Sequence, residues 1–175
     1  MIYYNNDNLA LRSMMKSDIK KLVDGFVEQG WHKSNELFSE YYNQQENKEK
    51  LVVIAEIGSD VAGYVTLLPY AKVGPFADKN IPEIVDFNVL IKYQKRGIGS
   101  RIMDVSENLA KEKSDYVSLS VGLHNGYGSA QRMYVKRGYI PDGTGVWYNG
   151  KQLVPYTKCV NDDDLTLYFL KCLKE

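Results

Sequence analysis

Residues 94–99, Gln94-Lys95-Arg96-Gly97-Ile98-Gly99, place two glycines directly before a run with helical periodicity. In that run Ile98, Ile102, Val105 and Leu109 form one apolar stripe, and Arg101, Asp104, Asn108 and Lys111 face the other way. A strand-like segment, Ile84–Leu90, leads into the turn. A helix start leaves backbone N–H donors without internal partners and carries partial positive charge, and glycines let an anion approach the backbone closely. The chemistry this suits is the binding of phosphate or pyrophosphate. Two devices of that kind do not fit. A P-loop would end in Gly-Lys-Ser/Thr, whereas Gly99 is followed by Ser100-Arg101. A dinucleotide fingerprint would have its third glycine where Ile102 stands, in the first βαβ unit, whereas about four strand-like segments precede this turn. From the turn alone, a plain strand-to-helix connection is the alternative.

Other residue types narrow the chemistry by what they lack. His32 and His124 form no pair in sequence with a nucleophile, and no Ser/His/Asp or Cys/His arrangement is present. Cys159 and Cys172 show neither CxxC spacing nor a local histidine, so the expectation is two reduced thiols and no metal. From Ile91 to Lys113 six basic side chains face three acidic ones, so the turn and its helix carry a local positive excess.

The elements that must hold these residues follow from pattern. Leu9–Arg12 is a short strand, and Ser17 is placed to cap a helix carrying Ile19, Leu22, Val23 and Phe26 on one face and ending at Gly30. A second helix from about Ser34 aligns Leu37, Phe38, Tyr41 and Tyr42, with a polar, exposed tail over Asn43–Lys50. Leu51–Ile57 and Val61–Leu68 read as a hairpin around Gly58-Ser59-Asp60. Pro69–Pro82 carries three prolines and is irregular. Tyr116–Val121 is a strand, and a helix over Ser129–Arg137 stops at Gly138. Val146–Tyr148 and Lys151–Val154 flank Asn149-Gly150, the strongest hairpin signal in the chain, and Leu165–Leu170 is the last strand. The class is α/β: a mixed sheet with helices on its faces.

Composition agrees with one domain over residues 1–175. With 22 basic and 22 acidic residues the net charge is zero, which excludes a nucleic-acid binder relying on bulk charge. Hydrophobic residues at 44% and charged residues at 25% exclude disorder, and no run approaches the ~18 apolar residues of a membrane span. Met1–Asn6 lacks signal-peptide features, so a cytoplasmic location is expected.

Gln94 to Gly99 resembles the Q/R-x-x-G-x-G/A acetyl-CoA motif of the GCN5-related N-acetyltransferases (GNAT), with Val89 five residues before Gln94 as in that family. Asn125, Ala130, Tyr134, Gly138 and Tyr139 resemble its N…A…Y…G-F/Y segment. Two positions depart: Ile91 stands where proline is common, and Gly126-Tyr127-Gly128 sets Asn125 about two residues farther from Ala130 than usual. The resemblance spans roughly residues 9–170 in element order and Leu51–Tyr139 in motif detail.

The resemblance implies a GNAT-like acyl-CoA N-acyltransferase fold, with a mostly antiparallel central sheet, a splayed strand 4/strand 5 pair and helices on both faces. It implies acetyl transfer from acetyl-CoA, a co-substrate, to a primary amine of a small-molecule acceptor by direct attack. The cofactor-binding set would be Val89, Leu90, Gln94, Lys95, Arg96, Gly97, Ile98, Gly99, Ser100 and Asn125, with N–H groups near Val89 and Leu90 polarising the acyl carbonyl. Tyr134 holds the position of the acid that protonates the thiolate. Glu83, eleven residues before Gln94, holds that of the base in histone-type members. A water chain is the alternative to Glu83, and Asp86 falls on the opposite strand face by alternation. For a cationic acceptor the available residues are Glu28, Glu36, Glu40 and Asp162-Asp163-Asp164, with Trp31, Tyr41, Tyr42 and Trp147 as pocket aromatics. A protein N-terminus or lysine as acceptor, and an acyl-CoA-binding regulatory module without turnover, are the alternatives. A homodimer is compatible with the sequence.

Overall fold

The computed structural model describes residues 1–6 and 8–174. The described residues form nine strands and four α-helices: β1 (Ile2–Asn5), β2 (Ala10–Ser13), α1 (Asp18–Glu28), α2 (Asn35–Glu46), β3 (Leu51–Ile57), β4 (Asp60–Leu68), β5 (Glu83–Val89), α3 (Ile98–Lys111), β6 (Tyr116–Gly122), α4 (Gly128–Lys136), β7 (Ile140–Tyr148), β8 (Lys151–Gln152) and β9 (Leu165–Cys172). They group into two compact units, Met1–Leu68 with Val85–Leu109, and Pro69–Ile84 with Ala110–Glu175.

In the first unit the strand order is β1-β2-β3-β4-β5. β1 to β4 pair antiparallel, with Leu11 opposite Ala55 and Ile54 opposite Tyr64. β3 and β4 bury residues of both faces along their middles, Val52–Ala55 and Val61–Leu67, so their period-2 signal is weak. α1 and α2 place Leu22, Phe26 and Phe38 in the core, where Phe26, Phe38 and Tyr64 meet at centroid distances of 5.5–6.2 Å. α3 buries Ile98, Ile102 and Val105 as its stripe predicts, and also Met103, Ser106 and Glu107 on a wider face.

In the second unit β5 opens with a parallel ladder to β6 only two pairs long, Glu83↔Ser118 and Ile84↔Leu119. From Val85 onward β5 belongs to the first unit. A parallel ladder that short is the feature expected of the splayed strands. β6 and β9 pair antiparallel over seven residues, and β7 pairs with β9 and β8. Pro69–Pro82 contains no helix or strand, yet it buries Ala71 and Phe76 against Tyr168.

Several local expectations change. β1 is an additional strand that four residues of sequence do not announce; Ile2 finds its partner in Arg12. Ser17 makes no capping bond; the start of α1 is held by Asp18, whose carboxylate accepts from Met15 N–H at 2.7 Å. Ser34 does cap α2, accepting from Leu37 N–H at 3.2 Å. The α2 tail is not merely solvated, since Gln45 bonds both backbone groups of Met14 at 3.0 and 2.9 Å. The last hairpin closes after Gln152, leaving Val154 72% exposed.

Asp18 is fully buried and is paid for by Arg12, whose Nη1 and Nη2 reach its two oxygens at 2.6 and 2.9 Å. Arg12 also donates through Nε to Glu56 at 3.1 Å, so one guanidinium joins β2, β3 and the start of α1. Removing one partner of a buried pair leaves the other charge uncompensated. Arg12→Met is therefore expected to lose about 3–5 kcal/mol of stability, read as a lower urea midpoint with unchanged slope.

Candidate active site

The turn after β5 lies in the first unit. A 3-10 turn, Ile91–Tyr93, follows β5, and the Gln94 side chain donates to Val89 O at 2.9 Å, tying the turn back to the strand. Lys95 (φ 59°) and Gly97 (φ 78°) are both left-handed. Alternating backbone hand turns successive N–H groups toward a common point, an arrangement that holds anions. A Cβ at Gly97 would meet nothing within 4 Å, so its glycine serves backbone conformation and open access. At Gly99 a Cβ would stand 3.2 Å from Phe87 Cζ, so that glycine lets α3 pack close to β5. Arg101 N–H closes on Gly97 O at 3.1 Å and marks the first helical hydrogen bond of α3. Ile98 is buried beneath the turn, while Gln94, Lys95, Arg96, Gly97 and Ser100 are exposed. Lys92 is paired with Glu28 at 2.7 Å and Arg101 with Asp104 at 3.2 Å. Lys95 and Arg96 enter no ion pair among the described residues, and the Arg96 guanidinium stands 5.6 Å from the Tyr93 ring centroid. The turn thus offers backbone donors and two uncommitted cations.

A cavity of about 410 Å³ borders this turn, lined by Arg96, Gly97, Ile98 and Arg101 together with Tyr4, Asn6 and Asn8. Arg101 stands 4.8 Å from the Tyr4 ring centroid. Sequence reasoning missed this wall because it rests on β1. Leu90 needs a correction: its N–H donates to Ala62 O at 2.9 Å, so it is not available to an acyl carbonyl. Its side chain is 2% exposed and packs towards Gly25.

In the second unit Glu83 opens β5, 4% exposed. Its neighbour Pro82 accepts from Ser118 N–H and Oγ at 2.9 and 3.1 Å, which fixes the strand end. No hydrogen bond or ion pair holds the Glu83 carboxyl among the described residues, and burial pushes its pKa up to about 7. Tyr168, packed against Phe76 and Trp147, feels both burial and Glu83 and is pushed up to about 12.

Tyr134 lies on α4, 5% exposed, with its ring edge-to-face to Tyr139 at 5.7 Å. Burial first, and Tyr127 second, hold its phenol above the ordinary range, so it is protonated at neutral pH. Asn125 is exposed and opens the 3-10 turn that precedes α4. The lengthening of that turn has a physical reason. His124 Nδ1 accepts from Gly126 N–H at 3.1 Å, and its Nε2 meets Asp163 at 2.9 Å. Tyr127 OH donates to the same Asp163 oxygen at 2.9 Å, and its ring lies where a side chain on Gly122 would stand. Asp162 accepts from Tyr148 OH at 3.1 Å, so two of the three clustered aspartates brace loops.

Among the described residues no three His, Cys, Asp or Glu side chains gather as a metal-ligand set, and no helix is long and apolar enough to cross a membrane. The donors of the turn suit a pyrophosphate, and a buried carboxyl near neutrality with a protonated phenol suits proton transfer.

Comparison with known proteins agrees with this geometry. The description "Acetyltransferase (GNAT) family" matches residues 19–139. No curated protein matches the chain. An N-acetyltransferase from Staphylococcus aureus Mu50 is similar in structure, with TM-score 0.71 and 14% identity, covering 96% of this chain and 100% of that one. Ard1 from Thermoplasma volcanium has TM-score 0.68 and 17% identity, covering 96% and 99%. YncA of Salmonella typhimurium, a putative acetyltransferase solved with its cofactor acetyl-CoA, has TM-score 0.69 and 13% identity, covering 97% and 96%.

The Glu83 carboxyl binds its proton more tightly folded (about 7) than at its ordinary 4.5. Its stabilising contribution is therefore complete below pH 4.5 and is lost as pH rises through about 7. Glu83→Gln, which cannot ionise, is expected to match the parent at pH 4 and to exceed it by about 2–3 kcal/mol at pH 8 in urea denaturation.

Proposed function

The chain belongs to the GNAT acetyltransferase family, and from that premise we propose that it transfers the acetyl group of acetyl-CoA to a primary amine of a small molecule. The observation that carries this reading is the Gln94–Gly99 turn: left-handed Lys95 and Gly97 at the start of α3, with Lys95 and Arg96 exposed and in no ion pair among the described residues. The family match runs through residues of both compact units, and we take the 175 residues as one catalytic domain working in the cytoplasm.

In this reading the backbone from Lys95 to Ser100 holds the pyrophosphate, with Lys95 and Arg96 adding charge from the rim. Gln94, whose side chain ties the turn to Val89 O, belongs to the same proposed cofactor-binding set. Val89, at the end of β5, and Asn125, ahead of α4, complete the proposed cofactor-binding set. Acetyl-CoA supplies an activated thioester. Glu83 takes the proton from the acceptor's ammonium, and a pKa near 7 lets it accept that proton at neutral pH and release it again. Tyr134 gives its phenolic proton to the departing thiolate and needs no tuning to be protonated.

Isothermal titration is expected to show acetyl-CoA binding in the micromolar range, and absence of heat with both acetyl-CoA and CoA would refute the reading. CoA release against polyamines, aminoglycosides, amino acids and peptides then separates a small-molecule enzyme from a protein-directed one. Release with no acceptor in the panel would favour the regulatory module. Tyr134→Phe is expected to keep acetyl-CoA affinity while lowering kcat roughly 10²-fold. The kcat/KM profile of the parent is expected to fall below pH 7 as Glu83 takes up its proton, and Glu83→Gln to lose that limb.

A further inference from the structure

A second cluster, entirely within the first unit, is not used by the chemistry above. Asp86 interrupts β5 with φ 45°, and its carboxylate accepts four donors. Lys33 Nζ and Asn88 Nδ2 reach Oδ1 at 2.5 and 2.8 Å. Tyr64 OH and Tyr41 OH reach Oδ2 at 2.6 and 2.9 Å. Lys33 Nζ also donates to Tyr64 OH at 2.7 Å and stands 5.4 Å from the ring centroids of both Phe26 and Tyr64. Burial and then Asp86 push both phenols far up, so each remains a donor.

A carboxylate, phenol oxygens and aromatic faces make the set that recognises an alkylammonium ion. Here the ion is an ε-ammonium on an unbranched stem, the same chemical group as a primary alkylamine. Lys33 comes from the connection between α1 and α2, and no backbone hydrogen bond from its own N–H is formed among the described residues. Its side chain is 23% exposed and that of Asp86 18%, so both partners of the pair are partly open to solvent. A second ammonium, Lys50 Nζ, stands 4.3 Å from the Tyr41 ring on the rim of the cluster.

We propose that the Asp86 cluster is the acceptor-recognition socket for a primary alkylammonium, and that Lys33 fills it until an acceptor displaces it. The proposal rests on the acetyl-transfer reading and adds its substrate class. The amine that attacks a thioester must be neutral, whereas the group held by Asp86 stays charged. The acceptor is therefore a diamine or polyamine, one amine reacting while another ammonium is held.

The test uses Lys33→Met, which keeps an unbranched stem and removes the charge. n-Butylammonium chloride is expected to raise the Tm of Lys33→Met saturably above the effect of equimolar sodium chloride. The parent and the Lys33→Met/Asp86→Asn double variant are expected to show no such rise. With acetyl-CoA and 1,5-diaminopentane, Lys33→Met is expected to lower KM, and Asp86→Asn alone to raise it about tenfold, one charge-assisted contact. Equal n-butylammonium response in parent, single and double variants overturns the socket. A diamine KM unmoved by Asp86→Asn overturns the substrate class, even if Lys33→Met fails to fold. If no amine supports turnover, the transfer reading fails while the n-butylammonium titration still decides the socket.

Discussion

A helix cannot satisfy its own first N–H groups, and at α3 they follow directly on an exposed turn built around Lys95 and Gly97. The turn in front takes two left-handed residues, Lys95 and Gly97, which costs conformational freedom and, at Lys95, some strain. That cost is borne because Gln94 ties the turn to Val89 and because α3 lies close over β5 at Gly99. Ile98 and Ile102, buried at once behind the turn, anchor the helix while its start remains open.

The titrating groups of the second unit follow from burial more than from partners. Among the described residues Glu83 has no ion-pair partner, and burial alone raises its proton affinity to near neutrality. Tyr134 is buried beside Tyr139, and the same physics keeps its phenol protonated. Burial makes Glu83 a carboxyl that can give and take a proton at pH 7, and Tyr134 a phenol that can only give one. Asp86 in the first unit has the opposite surroundings, with four hydrogen-bond donors on its oxygens, which suits holding a cation rather than moving a proton.

Features that depend on near neighbours were legible in the sequence. The α3 stripe, the Asn149-Gly150 hairpin, the start of α2 near Ser34 and the glycine turn each lie within about a dozen residues, and each stands where the pattern puts it. Features that depend on distant partners were not. β1 exists because Ile2–Asn5 finds β2, and with it comes the Tyr4 wall of the cavity. Ser17 lost its cap role to Asp18, whose burial needs Arg12 and so cannot be seen locally. The Leu90 N–H was spent on Ala62, a partner set by sheet register. The left-handed backbone at Asp86 inside β5 was not announced either, and Asp tolerates that conformation better than most. The added turn residues at Gly126–Gly128 make sense only with Asp163, nearly forty positions away.

The central claim is that the start of α3 holds the pyrophosphate and that Tyr134 serves the leaving sulfur. A crystal structure of the protein with coenzyme A tests it most directly. The account predicts pyrophosphate oxygens within ~3.2 Å of backbone nitrogens between Lys95 and Ser100, and the thiol sulfur within hydrogen-bond reach of the Tyr134 hydroxyl. Coenzyme A bound with its pyrophosphate away from this turn, or with its sulfur remote from Tyr134, would contradict it.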